Sequence, residues 1–354
     1  EAIKELLSRA VAEVIVKEHL EKKLASGKKL RVKFGIDPTG DLLHIGHAVA
    51  LLKLKEFQDL GHTVILLIGD FTAQIGDPTG RNAERETLSR EQIEKNMKTY
   101  LDQAGKILSI KDVEVRHNSE WFSKMDLGDF LGLAELVTFT QLGQRADFKK
   151  RIAAGGDVTL KEFIYPLLQG YDSHMLEADV EIGGTDQKFN LLMGRPIQEK
   201  YAHKNGPQDV LMVPLLEGTD GVKKMSKTAA NFIALTDAPE DMYGKVMRIS
   251  DNLLWKYFEL ATRTPLSEIH ALRQQTEDGA NPRDAKMRLA REIVTLYHGE
   301  SATHAAEDHF VSVFQKKERP DEIAEVVVRK TTWNIVDLML ASKLVASKGE
   351  ARRI

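Results

Sequence analysis

The stretch Gly35-Ile36-Asp37-Pro38-Thr39-Gly40-Asp41-Leu42-Leu43-His44-Ile45-Gly46-His47 puts two imidazoles three positions apart. At the start of a helix, that spacing sets both on one face of the first turn. Helix N-termini offer unpaired N–H groups and the positive end of the dipole, which attract phosphate. Two imidazoles there add donors that can follow charge as it builds on a phosphate. Gly46 leaves the backbone bare where an adenine ring could lie flat, and Gly35 lets a ligand approach the end of the preceding strand closely. A metal pair or plain packing are the other readings of the same two histidines.

Far downstream, Gly221-Val222-Lys223-Lys224-Met225-Ser226-Lys227-Thr228 gathers lysines in a glycine-led loop. Expulsion of pyrophosphate develops negative charge that mobile cations can meet, and lysine carries its charge on a flexible stem. Glycine and small residues let such a loop close. A solvated surface loop is the plain alternative. A third group, Tyr165, Gln169 and Asp172, falls at i, i+4 and i+7 of an expected helix and so shares one face. A tyrosine, an amide and a carboxylate together suit a polar aromatic ligand, with the carboxylate accepting from a phenol. Polar surface groups on a helix turn would show the same spacing.

The elements that must position these residues are legible in outline. Residues 1–27 read as an amphipathic helix stopped by Gly27. Residues 30–36 read as a strand, the turn 37–41 follows, and a helix runs over 43–60, ended by Gly61. Residues 62–69 are a near-continuous apolar run, which suits a parallel strand buried on both faces. Strand, helix, strand is a βαβ unit, and ligands in such folds sit at the carboxyl ends of the strands. Further on, 88–108 reads as a helix and 113–116 as a short strand. Residues 130–171 read as mostly helix broken at Gly155-Gly156, 180–183 and 210–216 as core strands, and the chain beyond Pro239 as helical through Arg329.

Composition sets the outer bounds. The chain has 354 residues, enough for two or three domains of about 100–200 residues. Hydrophobic residues make up 42% and charged residues 29%, ordinary values for a globular protein. There is no cysteine, which excludes disulfides, thiolate metal sites and a cysteine nucleophile. No apolar stretch approaches the roughly 18 residues that would cross a bilayer, and the charged N-terminus lacks a signal-peptide pattern. A cytoplasmic setting is the default expectation. Net charge is -3, so any basic surface is local. One candidate is the tail 331–354, where Lys343, Lys348, Arg352 and Arg353 outnumber Asp337 and Glu350.

Taken together these motifs resemble a known family. His44-Ile45-Gly46-His47 is similar to the HIGH segment of class I aminoacyl-tRNA synthetases, and Lys224-Met225-Ser226-Lys227-Thr228 is similar to their KMSKS loop. Gly35-x-Asp37-Pro38-Thr39, Tyr165-x3-Gln169-x2-Asp172 and Gly183-Gly184-Thr185-Asp186-Gln187 resemble segments of the tyrosyl-tRNA synthetases. The resemblance spans nearly the whole chain. It implies activation of L-tyrosine by ATP, with Mg²⁺ accompanying the ATP and no tightly bound cofactor or protein metal site, followed by transfer to the 3′ end of tRNA. It assigns His44, His47, Thr39, Lys224 and Lys227 to the phosphates. Gly35, Asp37, Gly46, Gly184, Asp186, Lys227, Arg81 and Arg85 fall to ATP binding, Asp186 on the ribose and the two arginines over the pyrophosphate. Tyr165, Gln169 and Asp77 hold the amino-acid ammonium, Asp172 the phenol hydroxyl, and Gln187 lies near the reacting carboxyl group.

One departure stands out: many members carry tyrosine where this chain has Lys33, and a second subgroup shares its absence. The fold the resemblance implies is α/β. A doubly wound parallel-sheet Rossmann-like domain (1–235) has an inserted helical dimer-contact region at about 125–175. An α-helical domain (236–330) and the start of an S4-like α+β RNA-binding domain (331–354) complete it. A homodimer with contacts near 130–150, and tRNA contacts from Lys348, Arg352 and Arg353, are the implied assemblies. The abrupt stop at Ile354 suggests a longer protein. A tryptophan–tRNA ligase, a catalytically silent RNA-binding relative and a small-molecule nucleotidylyltransferase are the rival readings. The tyrosine-glutamine-aspartate face and the S4-like tail count against the first, the retained histidines and lysines against the second, and the long helical half against the third.

Overall fold

The computed structural model describes residues 2–79, 88–143, 145–315, 333–342, 344–345 and 347–351. Arg81, Arg85, Arg352 and Arg353 lie outside them. Two compact units are present, Glu1–Glu307 and Asp308–Ile354.

The first unit is built on a six-stranded sheet: β1 (Glu13–Ile15), β2 (Arg31–Ile36), β3 (Thr63–Ile68), β4 (Val113–His117), β5 (Val180–Gly184) and β6 (Asp209–Val213). The spatial order is β1-β6-β5-β2-β3-β4. All neighbours run parallel except β1, which pairs antiparallel with β6 at the edge. The chain winds outward from β2 to β4, then returns to the other side of β2 for β5 and β6. That reversal opens a crevice beyond the carboxyl ends of β2 and β5, where ligands bind in doubly wound sheets. In β3, Val64, Ile65, Leu66, Leu67 and Ile68 are all buried, as helices on both faces of a parallel sheet require.

Several expectations shift. Residues 1–27 are not one helix: Ala2–Leu6 and Lys17–Ala25 are helical, with β1 between them. The β-branched run Val14-Ile15-Val16 finds a free edge on β6, and pairing outweighs the helical pattern. The strand expected over 210–216 ends at Val213, because Pro214 has no N–H to give the ladder. The region 130–171 is four helices, Leu127–Ala134, Phe139–Leu142, Ala146–Ala153 and Leu160–Met175, rather than one long pattern with a single break. Beyond Pro239 the chain is helical through Phe310, followed by a π-helical turn at Val311–Gln315; residues 316–332 lie outside the described ones.

Two long helices pack closely beside the site. Gly170 in Leu160–Met175 and Gly194 in Lys188–Lys200 lie at their contact. A Cβ on Gly170 would sit 2.8 Å from the Met193 backbone. This approach sets the height of the face carrying Tyr165, Gln169 and Asp172 against β5.

In the second unit, Ile335–Ala341 and Lys348–Ala351 are helical. Lys348 Nζ lies 2.6 Å from Asp337 Oδ1.

Candidate active site

Each strand of the parallel core delivers one segment to the crevice. β2 ends at Ile36, and the turn that begins at Asp37 leads into the helix Ile45–Asp59. His44 is the N-cap of that helix rather than a first-turn residue, with extended φ/ψ. Its backbone N–H donates to His47 Nδ1 at 3.2 Å, and the two rings stack with centroids 3.8 Å apart. Burial, with Lys227 and Lys224 nearby, pulls His44 down to about 3 and holds His47 well below the usual imidazole value. Both rings are therefore neutral at pH 7, each a donor of one N–H beside a helix N-terminus.

Gly46 has a role the sequence reading did not anticipate. A Cβ there would meet the His44 ring at 3.0 Å, so glycine makes room for the imidazole whatever else lies over it. The turn itself is splinted by the helix Arg90–Ala104. Asn96 Nδ2 donates to Pro38 O at 2.9 Å, Gln103 Nε2 to Asp41 O at 2.8 Å, and Leu43 N donates to Gln103 Oε1 at 2.7 Å.

The lysine loop comes back to the same place. After β6 the chain makes an isolated antiparallel bridge, Glu217 with Lys224, and a second between Ala234 and His44. Ile45 N donates to Ile233 O at 3.0 Å, and Leu235 N to Leu43 O at 2.9 Å. Gly46 N lies 3.4 Å from Met225 Sδ. A Cβ on Gly40 would sit 2.5 Å from Lys227 Nζ, so Lys227 lies over the first turn. Lys224 Nζ pairs with Asp186 Oδ2 beyond the end of β5.

The third group lines the inner wall. Tyr165 Oη donates to Asp37 Oδ2 at 2.9 Å, and Thr72 Oγ1 donates to Asp37 Oδ1 at 2.8 Å. Gly69 is what lets Asp37 and Thr72 meet: a Cβ there would lie 2.0 Å from Asp37 Oδ1. Burial and the neighbouring carboxylates hold the Tyr165 hydroxyl well above the usual phenol value, so it stays neutral. Asp172 Oδ1 accepts from Trp121 Nε1 at 2.9 Å, and Oδ2 from Asn118 Nδ2 at 3.4 Å. Desolvation raises the Asp172 carboxyl to about 7 against the opposing pull of Lys33 and these two donors. Asp77 Oδ2 accepts from Gln187 Nε2 at 2.6 Å.

The histidine turn, the lysine loop and the inner wall open on one cleft of about 450 Å³. Its walls include Gly35, Asp37, Thr39, His44, Gly46, His47, Asp77, Tyr165, Gln169, Asp172, Gly184, Asp186, Gln187, Lys224 and Lys227. The structure thus brings together every described residue expected at the phosphate, nucleotide and amino-acid positions. The expected tRNA contact Lys348 belongs to the second unit.

Sequence reasoning missed Thr72, Asn118, Trp121, Glu181 and Asn231. Asn118 follows β4 directly and is fully buried. A polar residue at the carboxyl end of a core strand was the available signal. Nothing in local spacing marks Trp121 or Glu181 as partners of residues elsewhere in the chain. Among the described residues no group of three or more histidines, aspartates or glutamates is arranged to hold a metal, and no helix is long and apolar enough to cross a membrane.

A doubly wound sheet whose switch-point cleft joins a histidine-bearing helix N-terminus to a lysine loop defines a nucleotide-dependent synthetase of class I. The family model for tRNA synthetases class I (W and Y) matches residues 25–315. Tyrosine–tRNA ligase 2 of Pseudoalteromonas translucida is 48% identical over 350 residues, 98% of this chain and 87% of that protein. The tyrosine–tRNA ligase of Thermotoga maritima is 50% identical over 350 residues, 99% of this chain and 86% of that protein. The chain belongs to the tyrosine–tRNA ligases of this class. The fold agrees with that of a C-terminally truncated mitochondrial tyrosyl-tRNA synthetase from Aspergillus nidulans (TM-score 0.75, 23% identity, 88% of this chain and 94% of that one). It also agrees with a tyrosyl-tRNA synthetase from Archaeoglobus fulgidus complexed with L-tyrosine (TM-score 0.69, 21% identity, 87% of this chain and 99% of that one).

Proposed function

We propose that the cleft joins the carboxylate of L-tyrosine to the α-phosphate of ATP, releasing pyrophosphate, and that the tyrosyl group then passes to the 3′-terminal ribose of tRNA. The substrate carboxylate is already the nucleophile, so no enzyme nucleophile is needed. Catalysis is positioning plus stabilisation of charge on the transferring phosphate. His44 and His47 donate as neutral imidazoles, Thr39 contacts the phosphates from the first turn, and Lys224 and Lys227 follow the charge onto the departing pyrophosphate. Gly35, Asp37, Gly46 and Gly184 shape the nucleotide site, and Asp186 binds the ribose. Arg81 and Arg85 close over the pyrophosphate. Mg²⁺ enters with ATP, held by phosphate oxygens and water.

On the amino-acid side an ammonium has three protons to place. The Tyr165 hydroxyl, whose own proton goes to Asp37, the Gln169 carbonyl oxygen and the Asp77 carboxylate offer three acceptors. Asp172 accepts from the phenol, and Gln187 lies near the reacting carboxyl group. Lys348, Arg352 and Arg353 contact tRNA phosphates, which makes tRNA affinity fall with salt. The working form is a homodimer in the cytoplasm, where its tRNA is found.

The observation that carries this reading is the convergence of the histidine turn, the lysine loop and the Tyr165–Asp172 face on a single cleft. ATP–pyrophosphate exchange with each of the twenty amino acids tests it. Exchange dependent on tyrosine alone is expected. Exchange driven by tryptophan, or none with any amino acid, would overturn it.

A further inference from the structure

Lys33 and Glu181 face each other across the switch point. They are register partners on the parallel strands β2 and β5, so their side chains leave the same face of the sheet. Both are buried, and Lys33 Nζ lies 2.9 Å from Glu181 Oε1. The other two protons of Lys33 go to Ser173 Oγ at 2.9 Å and the Gln169 backbone oxygen at 3.1 Å. An ammonium has three donors, so Lys33 keeps none for a ligand although it lines the cleft. Glu181 is equally occupied. Its Oε1 also accepts from Gln169 Nε2 at 3.1 Å, and its Oε2 accepts from Ser173 Oγ at 3.0 Å and Gln208 Nε2 at 2.6 Å.

The consequence falls on Gln169. A side-chain amide has a donating end and an accepting end, and a glutamine can turn either toward a neighbour. An ionised carboxylate only accepts. Glu181 therefore obliges Gln169 to turn its NH₂ inward, and the carbonyl oxygen is the end left for the cleft. Lys33 gives the Glu181 carboxylate a paired charge where it would otherwise be buried alone, and it pins the Gln169 backbone as well.

We propose that the Lys33–Glu181 pair is a positioning unit that fixes the sense of the Gln169 amide, so that the site presents an acceptor to the ammonium of the incoming amino acid. The inference rests on the proposed tyrosine-activating function and names what makes that site select an α-ammonium.

The test is the full chain carrying Lys33→Met with Glu181→Gln. This pair of changes removes both charges together and leaves Gln169 facing an amide that can accept or donate. Two ligands are compared: tyrosine as substrate in pyrophosphate exchange, and 3-(4-hydroxyphenyl)propionate, which lacks the ammonium, as competitive inhibitor. The expected result is a rise of about ten-fold in KM for tyrosine, the scale of one hydrogen bond to a charged group, with KM for ATP and the inhibition constant of the analogue within about two-fold of wild type. A pair that merely props up the fold would weaken tyrosine and the analogue in proportion, and that outcome, or no change in either, would overturn the proposal. Ser173→Ala, which removes the hydroxyl bridging Lys33 and Glu181, covers the case where the double variant does not fold: it should move the tyrosine-to-analogue ratio the same way, and an unmoved ratio there overturns the proposal too. A wild-type chain without tyrosine-dependent exchange would sink the parent reading and this one with it; wild-type exchange with an unmoved ratio in the variants sinks this one alone.

Discussion

Asp172 shows how one side chain can carry specificity through its surroundings. It is buried, raised to about 7 chiefly by desolvation, and held by Trp121 and Asn118. A carboxyl whose folded value lies above its ordinary 3.8 keeps its proton longer in the folded state. Its contribution to stability is therefore greatest in acid and is lost as pH rises from about 3.8 toward 7. Under the proposed function activity runs the other way, because only the ionised form is a pure acceptor for a phenol. We expect kcat/KM for tyrosine to rise with pH through about 7. The bend should vanish in Asp172→Asn. Neither histidine of the phosphate turn competes for that assignment, since His44 lies at about 3 and His47 well below its usual value. Removal of the carboxyl in Asp172→Ala should narrow the preference for tyrosine over phenylalanine by about 10- to 150-fold, the range of a hydrogen bond to a charged group. Exchange rates with the two amino acids measure it, and an undiminished preference would remove Asp172 as the hydroxyl reader.

At the scale of elements, the lysine loop owes its shape to one amide. Asn231 is buried; its Oδ1 accepts from Ser226 N at 2.8 Å, and its Nδ2 reaches Asp220 Oδ2 at 3.0 Å and Lys223 O at 3.2 Å. Gly218 makes room for it, since a Cβ there would lie 2.2 Å from Asn231 Cγ. Asn231→Ala leaves both lysines in place but frees the loop that aims them. Tyrosyl-adenylate formation in a single turnover should slow by about ten-fold or more, and Lys227→Ala should slow it further, while tyrosine affinity holds within about two-fold. Equal loss of tyrosine binding would place the defect in folding instead.

A second element depends on a buried pair. Arg151 binds Glu162 through its two terminal guanidinium nitrogens, at 2.7 and 2.5 Å, and both residues are 3% exposed. This fastens Ala146–Ala153 to the start of Leu160–Met175, the helix that carries Tyr165, Gln169 and Asp172. Arg151→Met leaves a buried carboxylate without its cation and should cost about 3 kcal/mol or more in chemical denaturation.

For the molecule as a whole, the helical region between β4 and β5 leaves apolar side chains in the open. Leu127, Phe139 and Leu160 are 72%, 77% and 75% exposed, with Leu131 and Ile152 beside them in sequence terms of the same region. Large apolar groups left in water over one region mark an interaction surface, and the proposed homodimer would cover them. Sedimentation of Leu131→Asp with Phe139→Asp should show the mass of a single chain where wild type shows two. A dimer that survives both charges would place the contact elsewhere. This region also shows where sequence reading strains. Four short helices replaced one interrupted pattern, because their ends are set by caps such as Asp126 and Thr138 and by packing on distant aromatics.

What the sequence determined by itself was local and periodic. The alternation and apolar runs of β2, β3, β5 and β6, the turn at Asp37–Asp41, and the shared face of Tyr165, Gln169 and Asp172 follow from spacings of two and of 3.6 residues. Residue types at those spacings, with the family resemblance they carry, were enough to single out residues that the cleft brings together. Tertiary structure alone decided the rest. Strand β1 exists because β6 has an edge to offer it. Gly46 and Gly69 answer to the side chains of His44 and Asp37 rather than to their own turns. Lys33 meets Glu181, and Asp172 meets Trp121, across long stretches of chain. Such pairings depend on the strand order of the sheet and on which partner burial leaves within reach, and neither is written in any short run of residues.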